Sequence, residues 1–327
     1  MNTDQLRAQF PDENECRNFF ESVIWRGGRH CPHCSCPKSY HLSGKTSRAG
    51  LYECDQCKRQ FTVTTKTPMH STKLLLWKWL QLMYYMVNSS KGVSSVYMGK
   101  WLGVSQKTAW KMGHAIREMM KPGTATQPLL SGIVELDEKY IGGKPRYEKG
   151  VTHKRGKGTD KQCVFVAVER HGMVRAAPIE SDKASEIAPL VESMVQKETQ
   201  LMTDQNPVYD HIAEPYAGHF SVNHSQKEYA RGKVHNNTAE SFNAILERAK
   251  QGVFHYMSEY HLHRYLHEIG FRWDHRIPEE KVTKKGKTKT VMMPMPVMDM
   301  LQSLISRAFG RQLRRTENGG IIGLSPA

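Results

Sequence analysis

Between residues 71 and 120 the apolar positions keep a helical period, and after residue 130 they change to the alternation of strands. The switch falls at KPGTATQPLLSG, a Pro/Gly/Thr-rich linker. Downstream, GIVELDEKYIGG predicts a strand ending in acid and then glycines, and CVFVAVERHGMVRAAPIE predicts two apolar strands joined at His171-Gly172. KASEIAPLVESMVQKE predicts a helix, TQLMTDQNPVYDHI a short strand that breaks at Asp204–Pro207, and HFSVNHS another strand. In KVHNNTAESFNAILERAK (233–250), Phe242, Ile245 and Leu246 have the spacing of an amphipathic helix. Asn237 or Thr238 stands where it can cap that helix, with Glu240 three residues after Asn237 as in a capping box. The order β-β-β-α-β-(β)-α predicts an α/β fold, a mixed sheet with helices on its faces.

At 327 residues, 39% of them hydrophobic, the chain is long enough for two or three compact units and too apolar for wholesale disorder. Lysine and arginine number 47 against 32 acids, and the resulting +15 points to a polyphosphate partner. The first twenty residues lack the basic start and apolar run of a secretory signal. The greasiest stretch, LLLWKWLQLMYYMV at 74–87, contains Lys78 and is too short to span a bilayer, so it reads as a buried helix. The expectation is a cytoplasmic protein with no membrane partner, in which seven cysteines are read for metal rather than for disulfides.

Cys31-Pro-His-Cys34 and Cys54-Asp-Gln-Cys57 are two CxxC pairs with 19 residues between them, the spacing of a four-cysteine zinc site. The intervening residues suit a short hairpin, and four thiolates leave no position for water, so the zinc is structural. Cys36 is poorly placed to replace Cys34, while Cys16 and Cys163 have no partner at ligand spacing. Further on, GVSSVYMGKWLGVSQKTAW has the layout of a helix-turn-helix: a first helix ending near Trp101-Leu102, a turn at Gly103, a cap at Ser105. Gln106, Lys107 and Thr108 then stand at the entrance of a recognition helix, where side chains reach base edges.

Three carboxylates stand where metal chemistry would use them. Asp137 closes the first downstream strand, Asp204 closes the fourth, and Glu240 opens the late helix. Acids converging from separate elements on one sheet edge suit a pair of hard divalent cations. Local reading does not separate Asp137 from Glu135 or Glu138, nor Glu240 from Glu247. Beside them, GGKPRYEKGVTHKRGKGTDK reads as a loop whose Lys154, Arg155 and Lys157 clamp a phosphate backbone. KVTKKGKTK at 281–289 is a second basic run, and His255, His261 and His263 read as packed or surface side chains of an aromatic-rich helix.

The blocks FPDENECRNFF, CPHC…CDQC, LGVSQKTAWKMGHAIREMM, VELDEKYIGGK, LMTDQNPVY and VHNNTAESFNAILERAKQGVFHYMSEYHLHRYLHEIGFRWDHR follow one another across residues 10–276. In that order they resemble a bacterial insertion-sequence transposase of the ISXO type. The resemblance implies a zinc ribbon, a helix-turn-helix and an RNase H-like mixed sheet with flanking helices that carries a DDE triad. It assigns the triad to Asp137 in the DExYxGG block, Asp204 after the later strand and Glu240 at the start of the last catalytic helix. On this reading residues 1–68 hold an N-terminal helix and the ribbon, 69–122 the helix-turn-helix, 131–276 the catalytic domain and 277–327 a basic extension with no assigned role. It further implies two Mg²⁺ ions (Mn²⁺ serving in their place) held by the triad. The partners would be terminal inverted repeats and target DNA, bound by a dimer or larger homo-oligomer. A zinc-ribbon DNA-binding regulator with an inert RNase H-like half is the rival reading, and the intact acid trio argues against it.

Overall fold

The computed structural model describes residues 1–122, 128–143, 149–150, 152, 161–223, 226, 228, 230–283, 286, 288–315 and 321–323. Two compact units emerge, one from residues 1–89, 93–121 and 295–327, the other from 90–92 and 122–294.

The first unit begins with α1 (Thr3–Gln9), opened by a reciprocal box between Asn2 and Gln5, and α2 (Glu13–Ile24), capped by Asp12. Strands β1 (Ser39–His41), β2 (Tyr52–Cys54) and β3 (Gln60–Phe61) form a small antiparallel sheet around Tyr52, Phe61 and the ring of Trp25. Helix α3 (Leu76–Asn88) buries Trp79, Leu80, Met83 and Met86. Its cap position, Leu75, has no side-chain acceptor; the Glu13 carboxylate reaches over from α2 and accepts from Leu76 N at 2.8 Å and Trp77 N at 3.3 Å. Helix α4 (Ser95–Leu102) ends at Gly103, whose left-handed φ of 60° lets the chain turn into α5 (Gln106–Met120). A side chain at Gly99 would meet Val104 O at 3.0 Å, so this glycine permits the close approach of helix and turn.

The second unit is built on a five-stranded sheet. Its strands are β4 (Ile133–Ile141), β5 (Gln162–Glu169), β6 (Val174–Ile179), then α6 (Ala184–Met194), β7 (Gln200–Asp204), a short α7 (Val208–Ala213) and β8 (Gly218–Val222). The spatial order is β6-β5-β4-β7-β8, with β4, β5 and β6 antiparallel and β4, β7 and β8 parallel. That is the mixed RNase H-like arrangement the resemblance implies. A small β9–β10 ladder (Ala230–Arg231, Val234–His235) leads into α8 (Asn237–Ala249), a π-helical turn (Lys250–Phe254) and α9 (Glu259–Asp274). Alternation along β5 sends Val164, Val166 and Val168 toward Phe242, Leu246 and Leu266 of α8 and α9. Phe165 and Ala167 point to the other face, with Ile187 and Val191 of α6 and Tyr209 of α7. The sheet is therefore covered on both sides, as its continuous apolar β5 requires.

A hairpin of β11 (Arg276–Val282) and β12 (Thr288–Pro294) closes the second unit; of the basic run at 281–289, Lys281 and Lys289 pair across it, and Lys284, Lys285 and Lys287 lie outside the described residues. The chain then rejoins the first unit through α10 (Val297–Ser306), which packs on α2 and α3 with Met300, Leu301, Leu304 and Ile305 buried, and a last ladder, β13 (Leu313–Arg315) with β14 (Ile321–Gly323). Residues 277–327 are thus divided between the two units. Among the described residues no helix is long and apolar enough to cross a membrane.

Candidate functional site

Strand β4 runs on to Ile141, so Asp137 lies in mid-strand and does not close it as the sequence pattern predicts. The reason is the antiparallel partner: β4 stays paired with β5 as far as Ile141, whereas its parallel ladder with β7 runs from Ile133↔Gln200 to Glu135↔Met202. Carried two residues further, the same register sets Asp137 level with Asp204, the last residue of β7. Both share the pleat face of Glu135, the side on which α8 packs. Two acids from adjacent parallel strands thus stand side by side where the sheet opens. Glu138, one residue on, faces the other way and accepts a hydrogen bond from the Tyr209 hydroxyl.

Helix α8 is tied to β4 at three consecutive residues. The buried Glu135 carboxylate accepts from Thr238 N (2.6 Å), Ala239 N (3.0 Å) and the Thr238 hydroxyl (2.9 Å). Asn236 Nδ2 donates to Leu136 O at 3.1 Å, and Asn243 Nδ2 donates to Asp137 Oδ2 at 2.7 Å. The expected capping by Asn237 or Thr238 with Glu240 is therefore wrong. The cap position is Asn236, which makes no side-chain cap bond, and the orphan amides go to Glu135 from across the sheet. Glu240 is exposed in the first turn, three residues before Asn243, and so lies on the stripe of α8 that meets Asp137. Neither Glu135 nor Asn243 is marked by any local motif.

Burial, followed by the charges of Asp204 and Glu138, pushes the Asp137 carboxyl up to about 7, against a smaller lowering by the Asn243 bond. A group whose folded pKa exceeds its unfolded value of about 3.9 weakens the fold as pH rises through that window. Asp137→Asn is accordingly expected to stabilise magnesium-free protein by about 2–4 kcal/mol at pH 8, the gain fading as pH falls toward 4. Thermal melts across that range check this; a gain independent of pH would rule out titration of Asp137 as its source.

The carboxylates of Asp137, Asp204 and Glu240 do not gather within 4.8 Å of one another; among the described residues the group that does is Cys31, Cys34, Cys54 and Cys57. Ligands of an ion pair about 4 Å apart are spread more widely than those of one ion. The cysteines fit a single zinc. Cys31 Sγ–Cys57 Sγ is 3.7 Å and Cys34 Sγ–Cys54 Sγ 3.5 Å, against about 3.8 Å for the edge of a tetrahedron with Zn–S of 2.3 Å. Each CxxC forms the same turn: Ser35 N donates to Cys31 O and Lys58 N to Cys54 O, with Ser35 and Lys58 both at positive φ. Cys36 stands outside the group, its Sγ directed at Lys38 O.

At the entrance of α5 the Ser105 hydroxyl accepts from Thr108 N at 3.2 Å and pairs with the Thr108 hydroxyl at 2.9 Å. Gln106 Nε2 donates to Ser95 Oγ of α4 at 2.8 Å, while Lys107 is exposed. Two of the three nominated side chains thus also brace the turn. Lys154, Arg155 and Lys157 lie outside the described residues.

Residues 129–274 match the ISXO2-like transposase domain, and residues 11–60 match the transposase zinc-ribbon domain. A protein of Halobacterium salinarum, described as an uncharacterized protein in transposable element ISH50, is 28% identical over 254 residues, 73% of this chain and 83% of its own length. Among solved structures, the Mos1 strand transfer complex aligns at 13% identity and a TM-score of 0.22, over 60% of this chain and 76% of that one. The Mos1 mariner paired end complex with Mn aligns at 13% identity and 0.23, over 60% and 77%. Likeness that loose carries no argument about the site.

Proposed function

This chain belongs to the transposases that pair a zinc ribbon with an ISXO2-like transposase domain, and from that premise we propose that it cuts and joins DNA at the ends of its own element. The observation that carries the reading is that Asp204 ends the strand parallel and adjacent to the one bearing Asp137, near enough for its charge to act on the Asp137 carboxyl, under a helix tied to β4 at Glu135, Leu136 and Asp137. Glu240 projects from the first turn of that helix. Asp137, Asp204 and Glu240 would together hold two Mg²⁺ ions, or Mn²⁺ in their place. Bound there, such ions activate an attacking oxygen and stabilise a leaving one. Asn243 fixes one oxygen of Asp137 and so limits its rotation.

Hydrolysis at the element boundary breaks the P–O3′ bond, leaving a 3′-hydroxyl on one product and a 5′-phosphate on the other. In the joining step that hydroxyl attacks a target phosphodiester and displaces the target's own 3′-oxygen. Both are phosphoryl transfers, so one set of acids serves both. The start of α5 reads the terminal inverted repeats, the net charge of +15 supports backbone contact by the chain as a whole, and Lys154, Arg155 and Lys157 add to it. Bringing two ends together calls for a dimer or larger assembly.

The test uses a duplex carrying the DNA that flanks the gene. With Mg²⁺ the protein should bind it in preference to an unrelated duplex and nick it to a 3′-hydroxyl at the element boundary. Gln106→Ala combined with Lys107→Ala should reduce the preference about tenfold while leaving general duplex binding in place. Full retention of preference would remove the start of α5 as the reader, and failure to nick would remove the proposed chemistry.

A further inference from the structure

Glu135 is the acid a sequence reader would most readily confuse with a metal ligand. It lies two residues before Asp137 on the same pleat face of β4. Its side chain is fully buried and already committed. One oxygen accepts from Thr238 N and Ala239 N, while the other accepts from the Thr238 hydroxyl and from Arg170 Nε at 2.6 Å. Arg170, at the end of β5, also donates to Lys233 O at 2.7 Å and His235 O at 2.8 Å, and the His235 ring lies 3.3 Å from the same Glu135 oxygen. The guanidinium therefore binds the segment that leads into α8 as well as the carboxylate that caps it.

We propose that Glu135 binds no metal and is instead the positioning residue of the site: with Arg170 it fixes where α8 begins, and thereby where Glu240 stands relative to Asp137 and Asp204. This rests on the reading of those three acids given above. A side-chain cap usually comes from the residue beside the helix and moves with it. Here it comes from the strand that bears Asp137, so the two ligand-bearing elements share one anchor. Glutamine at 135 keeps the shape but turns one of its two acceptor oxygens into a donor, facing amide, hydroxyl and guanidinium donors. The helix start should then loosen without loss of the sheet.

The experiment compares wild type, Glu135→Gln, Thr238→Val (which removes only the hydroxyl's bond) and Glu240→Gln in the full-length zinc-loaded protein. The readouts are hydrogen exchange at Thr238 and Ala239, calorimetric titration with Mn²⁺, and cleavage of the end duplex across a range of Mg²⁺. For Glu135→Gln we expect those two amides to exchange at least tenfold faster and Mn²⁺ to bind more weakly. Cleavage should be slowed, with part of the loss recovered at high Mg²⁺; Thr238→Val should fall between it and wild type. Glu240→Gln should keep its amide protection and show no recovery. Glu135→Gln that loses Mn²⁺ binding with unchanged amide protection would make Glu135 a ligand and overturn the proposal. So would wild-type cleavage in Glu135→Gln, whatever its exchange. If that variant does not fold, Thr238→Val with wild-type exchange, Mn²⁺ affinity and cleavage overturns it equally. If Glu240→Gln itself binds Mn²⁺ and cleaves normally, the three-acid reading has failed, a result distinct from each of these.

Discussion

Glu240→Gln is expected to fold, keep its zinc and bind end-bearing duplex, yet to cleave it at least about 10³-fold more slowly than wild type. Glutamine preserves length and shape but cannot supply the anionic oxygen that Mg²⁺ requires. The stability cost should be small, because the first turn of α8 is capped by Glu135 and not by Glu240. Loss of rate and loss of fold therefore separate cleanly at this residue. Asp137→Asn and Asp204→Asn should lose cleavage to the same extent, and combining the three should lower the rate little further, since groups that act as a unit are not additive. Single-turnover cleavage and melting curves on the same preparations check all of this. Near-normal cleavage by Glu240→Gln with a dead Glu247→Gln would move the third ligand two turns along α8.

The second large effect concerns the ribbon. Purified protein should contain one zinc per chain, and Cys31→Ser or Cys57→Ser should unfold the ribbon region. A four-thiolate zinc contributes on the order of 10 kcal/mol to a small domain that has little core of its own. Here that core is Tyr52, Phe61 and the ring of Trp25 around the cysteines. Cys36→Ser should leave metal content and fold unchanged, because its sulfur lies outside the ligand group. Metal analysis of fresh protein together with the near-ultraviolet signal of Trp25 measures both. A zinc-free but folded wild type would overturn the assignment.

Features that depend on neighbours in sequence were legible in the sequence itself. The two cysteine knuckles, the Gly103 turn, the Ser105 cap and the succession of the five sheet strands with α6 and α8 each arise from residues a few positions apart, and the structure has them. Features that depend on partners far away were not. Both α3 and α8 lack a side-chain cap of their own, and each takes one from a glutamate on a remote element, Glu13 and Glu135. No window of sequence contains both halves of such a bond. The sequence pattern sets Asp137 at the end of its strand for a related reason: β4 has two partners, and only one ladder runs on past it. The short α7 leaves no signal in the sequence because six residues after Pro207 offer too little periodicity.

The return of the chain to its starting unit has a consequence for synthesis. Helix α10 buries Met300, Leu301, Leu304 and Ile305 against α2 and α3, and it is translated after the whole second unit. On the ribosome the acid-bearing sheet can therefore finish folding while α2 and α3 still wait for part of their core. A nascent chain can thus complete its second unit before its first unit has all of its core.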